Sequence, residues 1–327
     1  MIILVQKYNK NANKRKKCCN FALIKQKEMT YKELCRLLTE AVDHMGKRIY
    51  DEREARAVAR VYLEDRNGFT SSDLYGGRET EGSSDDVRRL REGEPVQYVV
   101  GKAWFCDRQF EVRPGCLIPR PETEELCQWD ISSFASREQH SDGIARTSIL
   151  DVGTGSGCIS VTLALGISGA EVDAWDISDD AIAIAQKNAA SLKANVNVVK
   201  CDALNPPHDD GKYDVIVSNP PYICQSESID MDSNVLQYEP HVALFVPDGD
   251  ALMFYCGIAR YASSALRAGG TLFFEVNPLY VDELGEMLLK YGFCQVEIRT
   301  DQFGKQRFVK ASRQKMTQLS EVSVDYW

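Results

Sequence analysis

Hydrophobic positions follow two regimes along the chain. Between Thr30 and Gly93 they recur at helical spacing, whereas from Ser148 onward they gather into short apolar runs separated by helical windows. In the first regime Thr30-Tyr31-Lys32-Glu33 sets a hydroxyl three residues before a carboxylate, a capping box, and Leu34, Leu37, Leu38, Ala41 and Val42 follow on one face. A second helix is predicted over 51–64, burying Ala55, Val58, Ala59 and Tyr62. Ser71 and Ser72 read as caps of a short piece ending before Gly76-Gly77. Ser83 or Ser84 reads as the cap of a helix that carries Val87 and Leu90 and stops at Gly93.

Residues 96–112 are rich in Val, Tyr, Phe and Trp and predict a β-hairpin turning near Cys106-Asp107. Two prolines then bracket Arg120 in Ile118-Pro119-Arg120-Pro121-Glu122-Thr123-Glu124. The segment must run extended before a helix opens at Glu122. The polar stretch 132–147 suits a helix end and a surface loop. Strands are predicted at 148–152, 171–175, 196–200, 213–218, 270–276, 294–299 and 307–311, with helical windows near 156–165, 179–192, 250–267 and 280–290. Strands alternating with helices predict an α/β fold with a mostly parallel sheet. With no helix between the last two strands, the sheet should end in an antiparallel pair.

The expected organisation has five parts. Residues 1–28 form a disordered basic extension, 29–94 a helical domain, 95–121 a hairpin and linker, 122–312 the α/β domain and 313–327 a tail. Met29, directly before the patterned sequence, fits a translation start.

Composition narrows the function classes. A chain of 327 residues with 27% charged and 44% hydrophobic residues folds around its own core without needing disulfides or a structural metal. No run approaches the roughly 18 apolar residues of a membrane-spanning helix. Residues 1–28 hold eight Lys/Arg against Glu28, net +7; with −9 for the whole chain, residues 29–327 carry −16. A body this acidic is a poor partner for nucleic-acid phosphates. The eleven cysteines include no C-x-x-C pair, and the four histidines stand apart, so no zinc-ligand spacing is present and a reducing, cytoplasmic setting is expected.

Three motifs carry chemistry. The first is Ile149-Leu150-Asp151-Val152-Gly153-Thr154-Gly155-Ser156-Gly157, a strand running into glycines that open a helix. Glycine lets the backbone turn sharply and approach a ligand closely. A dinucleotide fingerprint would need Gly where Cys158 stands, the Walker Gly-Lys-Ser/Thr is absent, and Thr154 and Cys158 break the serine-nucleophile elbow. The second is Asp176, closing the next strand about twenty residues on, where a carboxylate accepts ribose hydroxyls. A helix cap is the competing reading, since Ser178 and Asp179 begin the following helix. Asp202-Ala203, after the third strand, falls where an adenine edge would lie, or is a plain loop.

The third motif is Ser218-Asn219-Pro220-Pro221-Tyr222, closing the fourth strand. Two prolines stiffen the loop and remove two N–H donors, leaving its carbonyls open to a ligand. Asn219 adds a side-chain acceptor and Tyr222 an aromatic face. The combination suits a flat, neutral NH2 group.

The glycine loop together with Asn219–Tyr222 resembles the S-adenosylmethionine-dependent amino-methyltransferases. Pro95-Val96-Gln97-Tyr98-Val99-Val100-Gly101, Phe105, Phe110 and the segment 118–124 make the chain similar to the HemK/PrmC family, which methylates the glutamine of the Gly-Gly-Gln motif in class 1 peptide chain release factors. The resemblance spans about residues 30–311. It implies a seven-stranded Rossmann-like methyltransferase sheet, mostly parallel with an antiparallel last strand, preceded by a small helical domain that recognises the substrate and by a β-hairpin. It implies S-adenosylmethionine held by Gly153, Thr154, Gly155, Ser156, Gly157 and Asp176, with Asp202, Ala203 and Asn219 beside it. Asn219, Pro220, Pro221 and Tyr222 would hold the substrate amide, with Asn219, Pro220 and Tyr222 as the catalytic set. One departure is Ala203, where some members carry a bulky aromatic. The rivals are an N6-adenine nucleic-acid methyltransferase, which would want a basic, aromatic-bearing recognition domain, and a non-catalytic adenosine-binding protein.

Overall fold

The computed structural model describes residues 28–138 and 146–314. The expectations for the extension through residue 27, the loop at 139–145 and the tail from 315 lie outside the described residues. The chain divides into two compact units, with the boundary between Val100 and Gly101.

The first unit is helical: α1 Tyr31–Thr39, α2 Glu52–Asn67, α3 Ser71–Gly76, α4 Ser84–Arg91 and α5 Val96–Val100. A short antiparallel pair, β1 Glu28–Thr30 with β2 Glu79–Glu81, completes it. Thr30 caps α1 by accepting from the Glu33 N–H at 3.2 Å, and Asp51 with Glu54 forms a reciprocal capping box on α2. Thr70, one residue before the serines expected to serve, caps α3, and Ser83 caps α4. Leu34, Leu38, Ala55, Ala59, Tyr62, Leu63 and Leu90 are its buried core, while Val58 is only half-buried. The expected strand at 96–100 is a helical turn instead. Tyr98 and Val99 donate to the Pro95 carbonyl, and Val96, Val99 and Val100 pack into this core, so burial overrides the β preference of valine.

The second unit begins with the hairpin β3 Lys102–Phe105 and β4 Arg108–Glu111, whose turn residues Cys106 and Asp107 both take the left-handed φ of a tight two-residue turn. Helix α6, Pro121–Glu138, starts on its proline. There follow β5 Thr147–Val152, α7 Cys158–Gly166, β6 Ala170–Asp176, α8 Asp179–Leu192, β7 Val196–Lys200 and β8 Tyr213–Ser218. Between residues 223 and 246 lie elements the hydrophobic pattern does not announce: β9 Ile223–Cys224, α9 Ser233–Tyr238 and β10 Phe245–Val246, with β9 and β10 parallel. The unit ends with α10 Met253–Ala265, β11 Leu266–Glu275, α11 Val281–Lys290, β12 Phe293–Thr300 and β13 Gln306–Arg313.

Seven strands form one sheet in the order β12-β13-β11-β8-β5-β6-β7. Only β13 runs against its neighbours. Alternating side chains feed two cores. Leu150, Ile216, Leu272 and Phe274 pack with Ile258 of α10 and Leu284 of α11; Ile149, Val215, Val217 and Phe273 pack with Trp129 of α6 and Ile159 of α7. Phe273 and Phe274 are fully buried, and each such side chain contributes about 1.5–3 kcal/mol. Strand order reverses between β5 and β8, which opens a crevice at their carboxyl ends.

Candidate active site

A cavity of about 290 Å³ occupies that crevice. Gly153, Thr154, Gly155 and Ser156 line it after β5, Asp176 after β6, Asp202 and Ala203 after β7, and Asn219, Pro220 and Pro221 after β8. Four chain segments identified by their motifs therefore meet at one place. Gly157 and Tyr222 do not line this cavity. Gly157 lies behind the loop at φ +79°, where a Cβ would stand 3.2 Å from the Cα of Ala185; its bare backbone lets α8 pack against the loop. Tyr222 faces a second cavity of similar volume, which also takes Asn219, Pro220, Arg120, Met231 and Glu275.

The glycine loop is braced from within. Gly153 and Thr154 donate to the Trp175 carbonyl at 2.9 and 2.8 Å, Gly155 to Asp176 Oδ2 at 2.9 Å, and Gly157 to the Thr154 carbonyl at 2.8 Å. With these N–H groups engaged, the loop is not the nest of free donors that binds phosphate. Beneath it, buried Asp151 accepts from Thr154 Oγ1 at 2.6 Å and from the Ser160 N–H at 3.1 Å. Burial lifts its pKa from 3.8 to about 6. Asn188 of α8 donates to the Ser156 carbonyl at 2.9 Å and exchanges two bonds with the Glu111 backbone, tying loop to hairpin.

Asp176 accepts from Gly155 through one oxygen and from Ser178 through the other, both at 2.9 Å. The helix-start contact is therefore real, and the same residue lines the cavity at the strand end. Its pKa is raised chiefly by burial, with the backbone bonds opposing. Asp202 turns onto the Leu204 N–H at 2.9 Å beside Ala203. The aromatic lining of the cavity comes instead from Phe254 of α10. Gly257, one turn on, lets that helix approach Leu204, whose Cδ2 would lie 2.9 Å from a Cβ there.

At β8, Ser218 Oγ donates to the Val152 carbonyl at 2.6 Å and locks the two loops together. Asn219 Nδ2 donates to Thr123 Oγ1 at 3.2 Å, Thr123 donates to Glu275 Oε2 at 2.7 Å, and Tyr222 donates to Glu275 Oε1 at 3.2 Å. Burial raises the Glu275 pKa and, more strongly, that of Tyr222. The segment 118–120 is pinned by buried Glu239, which accepts from the Ile118 N–H at 3.3 Å and pairs with Arg120 at 2.6 Å. Sequence reading misses Thr123, Glu275, Glu239, Asn188 and Phe254 as site residues. The available signals were an acid closing the apolar run 272–274 and a threonine inside the segment 118–124.

Among the described residues there is no cluster of three or more His, Cys, Asp or Glu side chains placed to hold a metal ion, and no helix long and apolar enough to cross a membrane. A model of the methyltransferase small domain family matches residues 136–238. With the seven-stranded sheet, its single antiparallel strand and the cavity at the β5–β8 reversal, this defines a Rossmann-like, S-adenosylmethionine-dependent methyltransferase. The release factor glutamine methyltransferase of Bacteroides thetaiotaomicron is 40% identical over 273 residues, covering 81% of this chain and 95% of its own. Those of Flavobacterium psychrophilum and Bacillus subtilis are each 36% identical, covering 81% and 79% of this chain and 94% and 91% of theirs. The chain belongs to the release factor glutamine methyltransferase family.

The residues present fit that cofactor. A Cβ on Gly153 or Gly155 would meet no protein atom within 4 Å, yet both glycines line the cavity, so the space in front of them is left for a ligand. A mostly apolar wall that carries the carboxylates of Asp176 and Asp202 suits a nucleoside without phosphate.

Proposed function

We propose that this enzyme transfers a methyl group from S-adenosylmethionine to the side-chain amide nitrogen of the glutamine in the Gly-Gly-Gln motif of class 1 release factors. The observation that carries the reading is the second cavity, which shares Asn219 and Pro220 with the first. A planar amide seated there would reach Asn219 and Pro220, the residues both cavities share. S-adenosylmethionine, when bound, supplies a methyl already activated on a sulfonium. The residues of the chain then have mainly to align the acceptor nitrogen, within about 3–3.5 Å of the methyl.

An amide nitrogen is a weak nucleophile because its lone pair is delocalised into the carbonyl. The Asn219 side-chain oxygen and the Pro220 backbone carbonyl would accept its two hydrogens, draw density onto nitrogen and stabilise the positive charge that develops as the carbon–sulfur bond breaks. The strongly acidic methylated amide then loses one proton to water. Tyr222 would support the amide plane from the second cavity. Gly153, Thr154, Gly155, Ser156 and Gly157 form the cofactor loop in this scheme, Asp176 takes the ribose, and Asp202 and Ala203 stand by the adenine. The helical region 29–94, which lacks clustered acid–base residues, would recognise the protein substrate. The nine described cysteines are all free thiols, in keeping with a cytoplasmic enzyme.

The test is labelled S-adenosylmethionine with purified release factor, with the same factor lacking its Gly-Gly-Gln glutamine, and with duplex DNA. Label should appear on the first alone. Label persisting on the altered factor would mean a different target nitrogen, and label on DNA with none on the factor would mean a nucleic-acid enzyme.

A further inference from the structure

Glu275 closes β11 with 2% of its surface exposed, and both carboxylate oxygens are engaged, by Thr123 and by Tyr222. An ionised carboxylate only accepts hydrogen bonds, and a threonine hydroxyl has a single hydrogen. The hydrogen of Thr123 therefore goes to Glu275, and its lone pairs are what Asn219 meets. Only the NH2 end of Asn219 can bond to a lone pair, as the Nδ2 contact at 3.2 Å records. The carbonyl end is then turned away from Thr123. Asn219 donates to Thr123 and Thr123 donates to Glu275, so the chain of bonds runs in one direction and ends on the buried carboxyl.

We propose that Thr123 and Glu275 are positioning residues that dictate which end of the Asn219 side chain meets the substrate. This rests on the reading that Asn219 accepts from the glutamine amide. If the side chain were turned over, its NH2 would oppose the substrate NH2, donor against donor, and transfer would lose its main acceptor. Pairing a neutral asparagine with a buried acid through a hydroxyl makes the orientation a property of the fold. Thr123 is 3% exposed and hydrogen-bonded to residues 96 and 152 positions away, so this geometry is built by packing and not by a local turn.

The experiment compares wild type with T123V, T123S and E275Q, measuring thermal midpoint, S-adenosylmethionine affinity by calorimetry, and kcat and KM on release factor. Valine keeps the shape of threonine but lacks the hydroxyl; serine restores it. Glutamine can turn either oxygen or NH2 toward Thr123, which abolishes the imposed direction. T123V and E275Q should each lower kcat by about ten- to a hundredfold while cofactor affinity stays within about twofold. T123S should recover most of the wild-type kcat. If E275Q fails to fold, the T123V and T123S pair decides. T123V turning over like wild type, or T123S as impaired as T123V, overturns the proposal. A wild type that labels no release factor overturns the functional reading and this proposal with it; an active wild type with unaffected variants overturns the proposal alone.

Discussion

The loops after β5 and β8 stand side by side at the strand ends and treat their backbone polar groups in opposite ways. In residues 153–157 the N–H groups of Gly153, Thr154, Gly155 and Gly157 are all spent on protein acceptors. In residues 219–222 the two prolines have no N–H to spend, and the side chain of Asn219 is held by a hydroxyl from below. The first loop is a braced wall of the cavity whose donors are already engaged. In the second the Tyr222 carbonyl accepts from Asn277 Nδ2 at 3.1 Å, and the Asn219 side chain is fixed through its own donor.

Breaking the acceptor loop should have the largest effect. Asn219→Ala is expected to lower kcat by about a hundred- to a thousandfold, since its oxygen binds most tightly as the nitrogen becomes positive. Cofactor affinity measured by calorimetry should hardly change. A loss confined to cofactor binding would place Asn219 with the first loop and erase the contrast.

Asp176→Ala sharpens the comparison from the other side. It should weaken S-adenosylmethionine binding by about 1–3 kcal/mol, the cost of removing hydrogen bonds to a charged group, and kcat at saturating cofactor should hold. Because Asp176 also bonds Ser178 and Gly155, the thermal midpoint should fall as well. Unchanged affinity would leave it a helix-start residue only.

The smallest effect tests the bracing of the glycine loop. Burial raises the Asp151 pKa from 3.8 to about 6, so the folded protein holds a proton that the unfolded chain releases between those values. Stability from this group therefore falls as pH rises from about 4 to about 6 and is constant above. Relative to Asp151→Asn, the wild-type thermal midpoint should drop by a few degrees across that window. A difference independent of pH would show the carboxylate to be solvated.

Much of this architecture is legible in local pattern. The strands at 196–200 and 213–218 and the helix at 179–192 fall where periodicity puts them, because their apolar spacing, caps and lengths all agree. Val96–Val100 is misread because valine-rich runs score as strand, and only the packing of the first unit shows that a helical turn buries them. Residues 223–246 carry no strong period: their elements are two to six residues long, and β9 and β10 form by pairing with each other.

Residue types at strand ends made Gly153, Asp176 and Asn219 recognisable, since a glycine turn, an acid and an Asn-Pro-Pro-Tyr loop each imply chemistry wherever a parallel sheet places them. The partners that complete them leave no such trace. Arg120 and Glu239 are 119 positions apart, Thr123 and Glu275 are 152, and no spacing rule links residues across that distance. Composition and period thus settled the α/β class, the seven strands of the main sheet and the motifs at their ends, because apolar spacing and residue type are local properties. The folded chain alone settled which way Asn219 turns, that the lining aromatic is Phe254, and that Tyr222 serves the second cavity, because hydrogen-bond direction and cavity shape exist only once distant segments are packed together.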